Sequence, residues 1–118
     1  MEPTPAVMVA HILLSQIDPD NPASLSPEVV TGLLRQELGF DGVVFTDDLT
    51  MGAVSNTYGM GEAAVLAFEA GCDVLLMPDG LADAYDAVLA AVQNGTLSED
   101  RLDLSVNKIL RMKAQFCA

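Results

Sequence analysis

The sequence has little positive charge and no long apolar run. Among its 118 residues, 5 are Lys or Arg and 17 are Asp or Glu, which gives a net charge of −12 at neutral pH. Such a chain repels phosphate backbones and anionic lipid headgroups. No apolar stretch approaches the roughly 20 residues that a membrane-spanning helix needs. We therefore expect neither a nucleic-acid nor a membrane partner.

Cysteine and histidine are also scarce. Two cysteines and one histidine are too few for the disulfide framework of a small secreted domain or for the usual four ligands of a zinc site. We expect no bound metal, and we expect Cys72 to be buried, because it lies in an apolar run. The start of the chain, Met1–Pro5, lacks the cationic region of a signal peptide, which slightly favours a cytoplasmic location.

The residues that are present predict one folded domain over 1–118. Hydrophobic residues make up 51% of the chain, enough apolar surface to offset the loss of chain entropy on folding. Three units follow one another, each with a short apolar run, a loop and a stretch of helical spacing. This order is typical of an α/β fold with parallel strands.

The expected elements follow from apolar spacing, capping residues and glycine or proline breaks. Ser26, Pro27 and Glu28 mark a helix start, and Gly39, Gly71 and Gly95 mark helix ends. The predicted strands are Ala6–Ile12, Gly42–Thr46 and Cys72–Met77. The predicted helices are Ser26–Leu38, a short helix with Ala63, Ala64, Ala67 and Ala70, one with its apolar face on Leu81, Ala84, Tyr85, Val88, Leu89 and Val92, and one from Ser98 to near the end.

Two architectures fit this pattern. One is a small open, doubly wound sheet, and the other is a contiguous part of a (β/α)₈ barrel. The glycine-rich phosphate fingerprint of dinucleotide-binding folds is absent, because no predicted strand is followed by G-x-G-x-x-G. That absence weakens the open-sheet alternative and a nucleotide-binding function with it.

Four polar residues lie at or just beyond the carboxyl ends of the predicted strands. Ligands of parallel sheets bind beyond the carboxyl ends of the strands, which is where His11, Asp47, Asp48 and Asp79 fall. Asp47 and Asp48 are adjacent, so their side chains point in opposite directions and at most one faces a site. A structural role is an equal alternative: one acid caps the following turn, and His11 bonds a backbone carbonyl in the core.

Several stretches together resemble glycoside hydrolase family 3, and within it the bacterial β-N-acetylglucosaminidases. The similar segments are 7–12 (VMVAHI), 22–27 (PASLSP), 34–51 (LRQELGFDGVVFTDDLTM), 70–78 (AGCDVLLMP) and 101–110 (RLDLSVNKIL). They cover nearly the whole chain in the expected order. The resemblance implies that the chain is a partial (β/α)₈ barrel, strands six to eight plus a terminal helix.

The same resemblance assigns roles to particular residues. Asp47 corresponds to the family's catalytic nucleophile, which forms a covalent glycosyl-enzyme with a terminal N-acetylglucosamine. His11 is expected to orient Asp47 or to line the sugar pocket, and Met51 and Asp48 to shape that pocket or to brace the loop. No cofactor is implied. The family's acid/base histidine, paired with an aspartate on an early loop of the barrel, has no counterpart in this chain.

A three-strand portion of a barrel leaves both sheet edges and its inner face without partners. We therefore expect self-association, rearrangement into a compact sandwich, or completion by an amino-terminal half-barrel. The leading functional hypothesis is the nucleophile-bearing part of a β-N-acetylhexosaminidase that acts on muropeptides or chitooligosaccharides and is inactive alone. The alternative is a non-catalytic, truncated α/β module that oligomerises.

Overall fold

The computed structural model describes residues 4–55, 58–76 and 79–116. In chain order they form strand β1 (Ala6–Val9), a 3₁₀ turn (Ala23–Leu25), a π-helix (Glu28–Glu37), strand β2 (Val43–Thr46), and helices α1 (Gly52–Ser55), α2 (Met60–Ala70), α3 (Leu81–Gln93) and α4 (Glu99–Phe116). The α/β class and the parallel strand direction are confirmed. In the described residues no helix is both long and apolar enough to span a membrane.

The sheet consists of β1 and β2, which pair in parallel from Ala6 opposite Val43 to Val9 opposite Thr46. The first strand is shorter than predicted and ends at Val9. The third predicted strand, Cys72–Met77, is wrong as a regular strand over its described part: it contributes a single parallel bridge, between Val74 and Phe45. Met77 lies outside the described residues.

Side chains replace backbone groups on either side of that bridge. Val74 N–H donates to Val44 O, and Thr46 N–H donates to Val74 O. The Asp73 carboxylate accepts Val44 N–H at 2.9 Å, and the Thr46 hydroxyl accepts Leu76 N–H at 3.0 Å. In a regular ladder the last two N–H groups would bond backbone carbonyls of the neighbouring strand, but here they bond side chains. The third predicted strand therefore runs beside β2 without adding a strand to the sheet.

The first predicted helix is present but wider than an α-helix. Ser26 caps it as predicted, because its hydroxyl accepts Val29 N–H at 3.3 Å, and Gly39 follows its end with a φ of 70°. Leu38 N–H bonds Leu33 O, five residues back. The wider turn moves later residues off the face predicted from α-helical spacing, and Leu38 is 69% exposed.

Helices α2, α3 and α4 occur where the spacing predicts them. The four alanines of α2 (Ala63, Ala64, Ala67 and Ala70) are fully buried. The apolar face predicted for α3 is only partly right, because Leu81 and Tyr85 are 69% and 67% exposed, whereas Ala84 is buried. A Cβ at Gly61 of α2 would lie 2.7 Å from the Ala87 Cβ, so α3 packs through its small residues.

The core lies on one face of the sheet. Its buried residues come from β2, the 3₁₀ turn, the π-helix, α1, α2 and two connecting segments: Leu25, Val30, Val44, Leu49, Val54, Ala63, Ala67, Ala70 and Cys72. The opposite face carries the row formed by Met8, Phe45 and Val74, which share one register. Val43, at the amino end of this second face, is buried, but Met8 is 57% exposed, so the helices leave the part of this face around Met8 uncovered.

A buried ionic network fixes the amino ends of the strands. Asp73 accepts from Arg35 Nη2 at 2.6 Å and from the Ser105 hydroxyl at 2.6 Å. Arg101 donates to the Ser105 hydroxyl at 2.6 Å and to Cys72 O at 2.7 Å. The network therefore joins the π-helix and α4 to the third run, at the opposite end of β2 from Asp47.

Candidate functional site

The carboxyl ends of β1 and β2 bring Asp47, Asp48 and His11 together. Asp47 follows β2 directly, and its N–H donates to Val9 O at 3.1 Å, so the parallel hydrogen bonding continues as far as Asp47. Successive residues of a strand alternate between faces. This alternation places Asp47 on the face of Phe45, the face that the helices leave uncovered.

One oxygen of the Asp47 carboxylate is held by the next peptide. Asp47 Oδ1 accepts Asp48 N–H at 2.8 Å, and the side chain is only partly buried. In the part of the chain that the structure describes, no side chain or backbone group donates to Oδ2. A carboxylate with one fixed and one available oxygen is suited to nucleophilic attack.

Asp48 plays the turn-capping role that the sequence left open for one of the two acids. Its Oδ1 accepts Thr50 N–H at 2.8 Å and the Thr50 hydroxyl at 2.5 Å. The Thr50 hydroxyl and N–H hold the pKa of Asp48 below its usual range, and the charge of His11 lowers this pKa further. Because Asp48 stays ionised at neutral pH, it is poorly suited to donate a proton.

Both ring nitrogens of His11 have protein partners. Nε2 lies 2.8 Å from Asp48 O, and since a carbonyl can only accept, Nε2 carries the proton. Nδ1 lies 2.5 Å from Ser24 Oγ and accepts the hydroxyl proton when the ring is neutral. His11 thus contacts the turn after Asp47, and any contact with a bound sugar would use the face of the ring.

Ser24 is the site residue that the sequence reasoning missed. It is fully buried, and Ala23 N–H bonds Ile12 O at 2.8 Å, which brings Ser24 beside His11. Its carbonyl also accepts the Cys72 thiol at 3.4 Å. No spacing rule links His11 to a serine 13 residues later, so the only signal was the Asp-, Pro- and Asn-rich loop between them.

That loop is ordered by Asp18. Its Oδ1 accepts Asp20 N–H at 3.0 Å and Asn21 N–H at 3.2 Å, and Tyr58 donates to Asn21 Oδ1 at 2.9 Å. The Ser26 side chain and the Asp20 N–H lower the pKa of Asp18 to about 2. Asp18, ionised above about pH 2, therefore stabilises the loop that presents Ser24.

The structure places the remaining residues singled out in the sequence beside this cluster or away from it. Met51 is 45% exposed, and its N–H donates to Asp48 O at 3.1 Å, the carbonyl that His11 also contacts. Asp79 is exposed, and residues 77–78 before it lie outside the described part. Cys72 is fully buried as predicted, and burial raises the pKa of its thiol to about 12.

Asp47 lies at the carboxyl end of the sheet, away from the main cavity lined by the described residues. That cavity, of about 560 Å³, occurs at the opposite end of β2, between Phe40 and the last turns of α4, so it is remote from Asp47. Across the described residues, no three His, Cys, Asp or Glu side chains are grouped as metal ligands. The cluster around Asp47 therefore offers a carboxylate, fixed by hydrogen bonds, to a ligand that approaches from the uncovered face.

Comparison with known proteins identifies the family. Residues 2–112 match the Glycosyl hydrolase family 3 N terminal domain. The chain belongs to glycosyl hydrolase family 3. This match confirms the resemblance seen in the sequence.

Solved structures of family 3 proteins resemble this one closely. A β-N-acetylglucosaminidase from Paenibacillus sp. str. FPU-7 is 50% identical, with a TM-score of 0.89 over 94% of this chain and 22% of that chain. A β-N-acetylhexosaminidase from Beutenbergia cavernae is 38% identical, with a TM-score of 0.84 over 94% of this chain and 34% of that chain.

Curated relatives are named β-hexosaminidases. The protein from Tolumonas auensis is 39% identical over 102 residues, which is 86% of this chain and 30% of the relative. The protein from Neisseria meningitidis serogroup B is 40% identical over 97 residues, or 80% of this chain and 26% of the relative. This family 3 chain therefore spans less than a third of either relative.

Proposed function

We propose that the chain is the nucleophile-bearing part of a retaining β-N-acetylhexosaminidase, with Asp47 as the nucleophile. One observation carries this proposal: the Asp47 carboxylate stands at the carboxyl end of a parallel strand, with Oδ1 fixed by Asp48 N–H at 2.8 Å. The likeness to a β-N-acetylglucosaminidase at 50% identity supports the substrate class. The proposed substrates are terminal N-acetylglucosamine residues of muropeptides or chitooligosaccharides.

The proposed reaction has two steps. The Asp47 carboxylate attacks the anomeric carbon, and the glycosidic oxygen leaves after it takes a proton from a general acid. Water then attacks the anomeric carbon and regenerates the carboxylate, while its proton returns to the group that acted as the acid. Met51, which is 45% exposed, is proposed to line the sugar pocket, and His11 either to orient Asp47 or to line this pocket with the face of its ring.

The described residues do not offer that general acid beside Asp47. The pKa of Asp48 is lowered by Thr50, and both nitrogens of His11 contact protein groups. We propose that the acid comes from an amino-terminal half of the barrel, in line with the family's histidine and aspartate pair. The chain then corresponds to strands six to eight of that barrel and is inactive alone.

Hydrolysis of an aryl N-acetylglucosaminide tests this proposal. The chain is assayed alone, with a separately expressed amino-terminal half of a family 3 relative, and as Asp47→Asn with the same half. We expect product only from the unsubstituted chain with the added half. Asp48→Asn is the matched control, since it removes one charge next to Asp47 but should retain measurable turnover.

A second candidate function is a non-catalytic module that oligomerises. The exposed apolar side chains of Met8 and Leu76, 57% and 45% exposed, favour it, because uncovered apolar surface promotes association. Absence of turnover in every sample of the assay above would support this module and contradict the hydrolase.

A further inference from the structure

We propose that His11 is a positioning residue, held by the buried Ser24 hydroxyl, that fixes the turn after Asp47 so that Oδ2 of Asp47 is the oxygen that reacts. This inference rests on the proposed function of Asp47. It assigns a role to Ser24, which no sequence pattern indicated, and it distinguishes the two oxygens of the nucleophile.

The contacts form one chain of hydrogen bonds. The Ser24 hydroxyl lies 2.5 Å from His11 Nδ1, and His11 Nε2 donates to Asp48 O at 2.8 Å. Asp48 N–H donates in turn to Asp47 Oδ1 at 2.8 Å. The direction of the last two hydrogen bonds is fixed, because the carbonyl only accepts and the amide only donates.

Burial makes the first contact rigid. Ser24 has no exposed surface, and its backbone carbonyl accepts the Cys72 thiol at 3.4 Å. A buried hydroxyl that loses its partner costs free energy, so the imidazole ring is held in one orientation. The core of the protein is thereby connected to the turn that carries Asp47.

Further bonds from within the turn converge on Asp48. Its carbonyl accepts Met51 N–H at 3.1 Å as well as His11, and its carboxylate accepts the Thr50 N–H and hydroxyl. His11 is the contact that reaches the turn from β1 and its following loop. Leu49 N–H also donates to Leu76 O at 2.8 Å, which holds the other side of the turn, so without His11 the Asp48 carbonyl would lose its only partner from outside the turn among the described residues.

The consequence for Asp47 is geometric. A nucleophile must be aligned with the anomeric carbon, and a displacement of about 1 Å can cost on the order of 100-fold in rate. Because Oδ1 is occupied by Asp48 N–H, a lone pair of Oδ2 is the one presented to the uncovered face. His11 is therefore expected to affect kcat, whereas a residue that binds the sugar directly would affect KM.

The first test uses the full chain and its single histidine. Ring ¹⁵N NMR is expected to show the proton on Nε2 at pH 8, and Ser24→Ala is expected to shift the Nδ1 resonance. Hydrogen exchange of the Asp48 amide is expected to accelerate about 3- to 10-fold in His11→Ala and to return toward the original rate in His11→Gln, which retains a donor. A proton on Nδ1, or unchanged Asp48 exchange in His11→Ala, would overturn the proposal.

Ser105→Ala is the matched control. Ser105 is also buried and donates its hydroxyl at 2.6 Å, but to Asp73 at the other end of the sheet. This variant should lower the free energy of unfolding while it leaves the Asp48 exchange and the histidine spectrum unchanged. Equal effects of Ser105→Ala and Ser24→Ala on the Asp48 amide would contradict a specific role for Ser24.

The complemented enzyme separates this proposal from the proposed function. There His11→Ala should lower kcat about 10- to 100-fold with little change in KM, and His11→Gln should restore part of kcat. A rise in KM at unchanged kcat would overturn positioning in favour of sugar binding. If the unsubstituted complemented sample is itself inactive, the hydrolase proposal fails, whereas the NMR and exchange results still decide whether His11 holds the turn.

Discussion

At the scale of single residues, ionised side chains hold the loops around the sheet. Asp18 is an example, since its carboxylate accepts two backbone N–H groups and its pKa falls from 3.8 to about 2. A group with a lowered pKa in the folded state binds protons first in the unfolded state. Its contribution to stability is therefore present above about pH 4 and is lost as the pH falls toward 2.

Asp18→Asn is expected to flatten this part of the pH dependence. Urea unfolding of both proteins between pH 2 and pH 6 measures it. The difference in unfolding midpoint should be largest between about pH 4 and pH 6 and should shrink as the pH approaches 2. A difference that stays constant over the whole range would show that ionisation of Asp18 does not stabilise the loop.

Asp73 is expected to be the most sensitive acid in the chain. Its side chain is 1% exposed and pairs with Arg35 at 2.6 Å, and burial lowers the pKa of the neighbouring Arg101. Asp73→Ala leaves Arg35 without its charge partner and removes the nearby negative charge that favours ionised Arg101, so it should cost about 3 kcal/mol or more. Asp41→Ala is the control, because its 76% exposed side chain should contribute less than about 1 kcal/mol. Chemical denaturation compares the two, and equal losses would contradict the network.

At the scale of elements, alanine substitutions at two glycines with positive φ distinguish the cost of backbone strain from the cost of a steric clash. Gly71 ends α2 with a φ of 119°, and a Cβ there would lie 2.7 Å from Thr31 Oγ1. Gly39 has a φ of 70° with nothing within 4 Å. Gly39→Ala should cost about 1 kcal/mol through strain alone, and Gly71→Ala clearly more. Thermal unfolding measures both losses of stability. Similar losses for the two variants would contradict the clash, because they would show that the Thr31 side chain moves away from the new methyl group.

The elements also show what the sequence can predict. Ser26, Gly71 and the alanines of α2 specify their elements locally, and each of these predictions is confirmed. The third strand is not predictable in the same way, because the side chains of Asp73 within the run and of Thr46 in β2 take the place of backbone partners in its ladder. For the site, the sequence predicts that its residues lie near the carboxyl ends of strands, but it does not predict their contacts. The contact of His11 with Ser24 depends on how the long loop between them folds back.

At the scale of the whole molecule, the uncovered sheet face predicts association. Met8 is 57% exposed on that face, so sedimentation should depend on concentration. Met8→Lys should weaken association. Leu104→Lys, which makes the same charge change at a 57% exposed position on α4, should not. A compact monomer at all concentrations, or equal effects of both substitutions, would contradict association through the sheet.

The role of Asp47 as the nucleophile is tested most directly by trapping the glycosyl-enzyme. The chain, complemented with an amino-terminal half-barrel, is incubated with a 5-fluoro N-acetylglucosaminyl fluoride, whose extra fluorine disfavours the oxocarbenium-like transition state and slows hydrolysis of the intermediate. Peptide mass spectrometry then locates the added sugar. We predict the label on Asp47 and its loss in Asp47→Asn; a label on another residue, in a sample that hydrolyses aryl glycosides, would contradict the assignment.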